Sequence, residues 1–352
     1  MKLTAALDVP LPHSALESFA RVRNAPEITP TAPTKPRVRL SLVIDDGPSP
    51  LTGLAVSADG ERLVSGKEDG AVHVWSRSTG QLLHILTGHL SDVTCVALTP
   101  DGKRVISGGG DGFVRLWSID SGTQQRVYVN GDYDRKRVLE VMAWPDGQTA
   151  VSISEDGPRI WDIHSRRLKG STVSGFYQQS MWSPVLSQDG KTFASIAPDG
   201  MIKVWSLGTQ NSQSGYGEDG AVKYSAQHKL EFSPGHFDIV SAVAFTSDGE
   251  RLVSASWDET IKVWEIHGSK GEEIMSFTAH TAGVNCIMAL PDGDRLVSGS
   301  DDGTVRIWNM RTRELEHTLT EHADAVKFLA VSHDGKTLVS GSTGTIMVWE
   351  LS

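Results

Sequence analysis

The chain has 352 residues, 39 % hydrophobic and 22 % charged, with Lys+Arg 33 against Asp+Glu 43 for a formal net charge of -10. That composition provides material for a sizeable core and excludes a wholly disordered chain, while the acidic balance disfavours nucleic-acid backbones and anionic membranes as partners. Two cysteines, Cys95 and Cys286, are too few for a disulfide framework and suit a reducing compartment.

No apolar run approaches the roughly 20 residues needed to cross a bilayer. The opening MKLTAALDVPLPH is interrupted by Asp8 and Pro10 before it reaches the length of a secretory signal, so the expected location is the cytoplasm. Residues 1–36 contain six prolines, and EITPTAPTKP reads as an extended linker. Between the prolines, Ser14 and Glu17 form a capping-box pair, and Leu16, Phe19, Ala20 and Arg23 are spaced for one short amphipathic helix, packed on the rest of the protein or docking another. Residues 37–44, RVRLSLVI, alternate as a strand should.

From there a period dominates. Seven Asp-Gly turns recur in the words SADGERLVSG, TPDGKRVISG, WPDGQTAVSI, SQDGKTFASI, TSDGERLVSA, LPDGDRLVSG and SHDGKTLVSG, each followed by a tryptophan: Trp75, Trp117, Trp161, Trp205, Trp264, Trp308 and Trp349. Within one unit, VTCVALTPDGKRVISGGGDGFVRLW reads as strand, tight turn, strand, turn, strand, and a run such as QLLHILTGH adds a fourth. Four short strands repeated seven times, with no helical period between them, predict an all-β, seven-bladed propeller over residues 37–352. The interval before Trp264 holds about fifteen extra residues centred on 208–220, polar and Gly-rich, and predicts a surface loop. The seventh unit ends at Ser352 after three strands, so residues 37–44 are expected to supply the missing one and close the ring, removing an open edge.

The repeated words resemble the WD40 repeat family across about residues 37–352, and also the WD40 tails of bacterial and fungal signalling ATPases and kinases. The family's His, Ser, Asp and Trp positions are complete in blade 2 (His89, Ser107, Asp111, Trp117), blade 5 (His236, Ser254, Asp258, Trp264) and blade 6 (His280, Ser298, Asp302, Trp308). The resemblance implies a buried hydrogen-bond chain running from the indole through Ser and His to Asp, a structural staple. Blade 1 has Gly47 at the His position and keeps Ser65, Asp69 and Trp75. Blade 3 has Asp134 there, a deletion and Pro158 beside Asp156. Blade 4 has Tyr177 and keeps Ser195, Asp199 and Trp205, and blade 7 keeps His322, Ser340 and Trp349 but has Gly344 at the Asp position. Blades 3 and 4 are expected to be the least regular.

No CxxC, HExxH, Walker A or helix-opening GxGxxG sequence occurs, so no catalytic residue, metal or cofactor is expected. In the family the residue before the turn Asp lies on the narrow rim; here that set is Glu68, Gly110, Glu155, Pro198, Trp257, Asp301 and Thr343. Trp257 and the nearby Phe237 are candidate interface anchors, and Glu68, Glu155 and Asp301 bias the rim toward a basic peptide. Tyr133, Arg135, Lys136 and Arg137 in blade 3, with Phe176 and Tyr177 in blade 4, form a second candidate surface for an acidic peptide or a phosphate. The expected function is a non-catalytic protein-interaction scaffold, monomeric on its own. Two alternatives stand beside it: an enzyme or small-molecule binder at the channel mouth, and nucleic-acid or phosphopeptide binding through the basic run.

Overall fold

The computed structural model describes residues 37–129, 136–154, 157–164, 168–171, 182–209, 224–266 and 271–352. The candidate helix at 14–23, the rim residues Tyr133, Asp134, Arg135 and Glu155, and Phe176 and Tyr177 lie outside the described residues.

Among the described residues, 28 strands form seven four-stranded antiparallel sheets. In blade 1 the order from the inside outward is Leu51–Val56, Arg62–Lys67, Val72–Ser76 and Leu82–Leu86, and blades 2 to 6 repeat it. The innermost strand of each blade packs against that of the next, and Phe328–Val331 of blade 7 packs back on Leu51–Val56 of blade 1. The expected ring is therefore closed.

The middle strands lie between neighbouring blades, and their sequence follows from that: in Arg62–Lys67 every residue after Arg62 is buried, giving an apolar and small-residue run instead of strict alternation. At the outside one face meets water, and Leu82–Leu86 is exposed except at Leu86 and, in part, His84. Aromatic pairs join successive blades. Tyr128, Phe232 and Phe277 on the outer strands of blades 2, 4 and 5 pack on Trp161, Trp264 and Trp308 of the following blade, with ring centroids 5.0–5.3 Å apart.

Each Asp-Gly turn reverses the chain between the two inner strands. In blade 1 Gly60 takes φ 74°, a left-handed conformation that glycine adopts without steric cost, while Asp59 Oδ1 accepts from Glu61 N at 3.0 Å and from Ser57 Oγ at 2.5 Å.

The N-terminal strand Val38–Asp45 is the outermost strand of blade 7, registered from Val38 opposite Leu351 to Asp45 opposite Thr345. The insertion differs in part from the loop expected of it. Residues 208 and 209 continue a strand: Ile202–Thr209 and Tyr224–Phe232 in blade 4 pair as far as Thr209 opposite Tyr224, which satisfies backbone groups that a loop would leave to water. Blade 4 is irregular at its inner strand as well. The register slips between Trp182 and Val185, where Ser183 has φ 46° and Pro184 has no N–H to donate.

Candidate functional site

The polar residues inside the blades make repeated chains. In blade 2 Trp117 Nε1 donates to Ser107 Oγ at 2.8 Å, Ser107 donates to His89 Nε2 at 2.8 Å, and His89 Nδ1 donates to Asp111 at 3.0 Å. Blade 5 repeats this through Trp264, Ser254, His236 and Asp258 at 2.9, 2.8 and 2.9 Å. Blade 6 repeats it through Trp308, Ser298, His280 and Asp302 at 2.9, 2.7 and 2.9 Å. Burial works against the charge on Asp111 and Asp258, but the His, hydroxyl and backbone donors outweigh it and hold both carboxyls down to about 2. Burial lowers His236 and His280 despite their carboxylate partners, which keeps the imidazoles neutral. In blades 5 and 6 a neutral ring donating from Nδ1 and accepting at Nε2 satisfies each group in the chain. With indole, hydroxyl and imidazole all engaged inside the blade, the arrangement holds structure and leaves no free nucleophile or base.

The incomplete blades solve the same problem differently. Blade 1, with Gly47 in place of the His, buries Lys67, whose ammonium donates to Asp46 O at 2.8 Å and lies 3.4 Å from Asp46 Oδ2; His73 Nδ1 meets Asp46 Oδ1 at 2.5 Å. The Lys67 and Asp46 side chains are 1 % and 0 % exposed. Blades 2, 5 and 6, which keep the His, have the small residues Gly109, Ser256 and Ser300 at the Lys67 position, and in blade 2 a Cβ there would come 2.3 Å from His89 Nδ1. With no imidazole beside it, residue 67 can be long. Repeat spacing did not signal this ion pair, because it occurs in one blade only.

Blade 7 keeps His322 on Ser340 at 2.7 Å, but Gly344 stands where an Asp would, and among the described residues His322 Nδ1 is buried with no hydrogen-bond partner. Burial lowers His322 to about 4. In blade 4 Ser195 Oγ is buried with no hydrogen-bond partner among the described residues.

On the narrow rim the structure brings Trp257 and Phe237 into one loop cluster. Asp258 accepts from Phe237 N at 2.9 Å, and Trp257 N donates to Ile239 O at 2.9 Å. Phe237 is 98 % exposed, Trp257 48 % and Ile239 49 %. One edge of the indole rests on Gly283 of blade 6, where an added Cβ would lie 3.1 Å from Trp257 Cδ1. Beside this cluster a groove of about 300 Å³ runs between blades 4 and 5, lined by Ile196, Pro198, Asp199, Pro234, Phe237 and Ile239 among others. Ile239 and the exposed Leu90 of blade 2 were not singled out in the sequence, although Leu90 follows His89 as Phe237 follows His236. Glu68 and Asp301 are exposed on the same kind of loop, and Asp301 accepts from Asn285 Nδ2 at 2.7 Å.

The described members of the basic run are engaged. Arg137 holds Asp92 of blade 2 with two bonds of 2.6 and 3.3 Å, and Lys136 also has a partner. Neither is the free cation that a phosphate site would need.

At the opposite face the residue before the Asp-Gly pair reaches the channel in six of the seven blades. Two cavities, of about 620 and 360 Å³, share Val185, Leu186, Gln188 and His333. Between them they are lined by Pro100, Pro145, Gln188, Ser247, Pro291 and His333 from six turns. Glu140, on the inner strand of blade 3, lines the larger one, and burial pushes its carboxyl up to about 7.

His322 and Glu140 give opposite pH dependences. The folded value of His322 lies below its ordinary 6.5, so its contribution to stability is intact above that pH and is lost as pH falls toward about 4. The folded value of Glu140 lies above its ordinary 4.5, so the cost of its burial is absent below that pH and grows as pH rises through about 7. Glu140→Gln is therefore expected to melt close to the wild type near pH 4.5 and several degrees higher at about pH 8, as read by calorimetry. A gain independent of pH would contradict this assignment.

Comparison with known sequences bears on the same ring. The profile of the WD40 family, described as WD domain, G-beta repeat, matches residues 41–76, 80–118, 227–265, 271–309 and 313–350, more than half of the chain. The chain belongs to the WD40 family. Blade 3 and the three inner strands of blade 4, where the His position is Asp134 and Tyr177, fall outside the five matches, yet each blade forms a four-stranded sheet within this WD40 ring. Among curated relatives, a ribosome biogenesis protein WDR12 homolog of Drosophila virilis is 32 % identical over 33 % of this chain and 28 % of its own length. A U3 snoRNP-associated protein-like YAOH of Oryza sativa subsp. japonica is 26 % identical over 44 % and 29 %, and a probable cytosolic iron-sulfur protein assembly protein 1 of Botryotinia fuckeliana is 29 % identical over 39 % and 40 %. The chain thus spans less than half the length of each of these relatives. A WD40 ring with no catalytic constellation in its blade staples is consistent with a protein-interaction scaffold.

Proposed function

We propose that this protein is a non-catalytic scaffold whose narrow rim at blades 4 and 5 holds a peptide segment of a partner protein. The observation that carries the reading is the cluster of Phe237, Trp257 and Ile239, three large apolar side chains half or fully exposed beside a groove. Apolar surface of this kind, set on a framework fixed by the buried His236–Asp258 pair, is what interface anchors look like before binding. Asp199, Asp238 and Asp301 are exposed around it, so the fitting peptide places an apolar or aromatic residue in the groove with basic residues beside it. The named relatives divide among ribosome biogenesis, a U3 snoRNP and iron-sulfur protein assembly; what carries over is a scaffold role in building a larger assembly, with the particular process open. Two free cysteines suit a reducing compartment, the cytoplasm first.

The test is capture from the native host with immobilised wild type and with the Phe237→Ala/Trp257→Ala double variant, using Val127→Ala on an outer strand as a control. The double variant is expected to lose the main bound proteins and the control to keep them. Retention of every partner by the double variant would sink the rim assignment, and RNase-sensitive capture would favour the nucleic-acid alternative.

A further inference from the structure

The channel mouth at the Asp-Gly face has a chemistry unlike that of the rim. Its lining includes positions that the repeat leaves free, the residue before the Asp-Gly pair in six blades, and three of these are proline, which makes that wall rigid and largely apolar. Below that wall lies Glu140. On the inner strands of blades 2, 5 and 6 the same register position holds Cys95, Ala242 and Cys286, small side chains that fit between blades. Blade 3 alone of these four carries a carboxyl there. Its one hydrogen bond is from the neighbouring Val141 N at 3.3 Å, and among the described residues no cation pairs with it. His333 lines both cavities, and no lysine or arginine does. Glu140 also lies close enough to Cys95 to add to the effect of burial in raising that thiol, and its side chain is half-buried on the cavity wall.

A half-buried carboxyl on the wall of a cavity, with no ion pair among the described residues, is open to a cation that enters from outside. From the cavity, its walls and the unpaired carboxyl, we infer that the channel mouth binds an ammonium or guanidinium group carried on an apolar stem, with Glu140 as its counter-ion and the proline-walled mouth around the stem. A space of about 620 Å³ accommodates a stem the length of a lysine or arginine side chain, and the net charge of -10 favours entry of a cation. A side chain of a bound peptide and a free alkylamine present the same chemistry. The rim cluster plays no part in this site, so either can fail without the other.

The test uses the full chain and calorimetric titration with n-pentylammonium, n-butylguanidinium, the neutral isostere pentanol, and a capped Ala-Arg-Ala peptide. The cations are expected to saturate one site at least about tenfold more tightly than pentanol, a difference of about 1.4 kcal/mol. Because Glu140 titrates at about 7, their affinity is expected to fall as pH drops below that value and to level off above it, with proton release on binding near neutrality. In Glu140→Gln, which preserves size and shape, the preference for cation over pentanol and the pH dependence are both expected to vanish while the melting profile stays cooperative. Tighter binding of the peptide than of the free cations assigns the natural ligand to a protein segment, and the reverse order assigns it to a small amine. Absence of saturable cation binding, equal affinity for pentanol, or unchanged cation binding in Glu140→Gln would overturn the inference.

Discussion

Replacing Lys67 by Ala is expected to cost about 3 kcal/mol of unfolding free energy, because it leaves the fully buried Asp46 carboxylate with His73 but without the ammonium beside it. Few single surface or core changes reach that size. The effect should also spread beyond blade 1. Asp46 follows the closing strand directly, its N–H donates to Gly344 O at 2.9 Å in blade 7, and its carbonyl receives the Lys67 ammonium, so one lysine ties two blades at the seam of the ring. The double change Lys67→Met/Asp46→Leu removes both charges and should recover much of the loss, since apolar replacement of a buried pair is often neutral or stabilising. Urea unfolding of the two single variants and the double variant gives the coupling between them. A loss below about 1 kcal/mol for Lys67→Ala would show the pair to be dispensable.

Deleting residues 1–45 is expected to be still more damaging. The deletion removes the strand Val38–Asp45 and uncovers the edge of Thr345–Leu351, together with Ile44 and the packing of Leu40 and Leu42. At about 1.5–3 kcal/mol for each large apolar side chain returned to water, the loss approaches the whole stability of a typical domain. The freed edge offers unpaired backbone groups to other chains. The truncated protein should be aggregated or unfolded at 37 °C, whereas deletion of residues 1–34, which leaves the strand whole, should melt as the full chain does. An unchanged melting midpoint in the longer deletion would show that the ring does not depend on this closure.

The seven turns, the seven tryptophans and the alternating run at 37–44 sufficed to read the ring and its closure in the sequence, because each rests on local chemistry that repeats. What escaped the reading is what occurs once. Lys67 looked like one more charged residue near a turn, and its partner Asp46 lies 21 positions away across a blade junction; the clue was the absence of the His that would otherwise fill the space. Arg137 read as part of a basic patch, but Asp92, 45 residues earlier, is brought beside it by the packing of blade 2 on blade 3. Glu140 follows an apolar residue as any solvent-facing strand position would, and only the ring shows that this position lines the channel mouth. The variable letter before each Asp-Gly, Pro in three of the seven words, was in plain view but acquires meaning only when the turns gather around one channel. Periodicity identifies the framework; the sites come from departures whose partners the fold chooses.

Whether the rim of blade 5 is an interface is tested most directly by the dissociation constant between a captured partner, purified, and two forms of this protein. The Phe237→Ala/Trp257→Ala variant should melt within a degree or two of the wild type, since both side chains are half or fully exposed, and should bind at least about thirtyfold more weakly, the loss expected when interface anchors worth about 2 kcal/mol are removed. Binding within twofold of the wild type by a variant that folds normally would contradict the account.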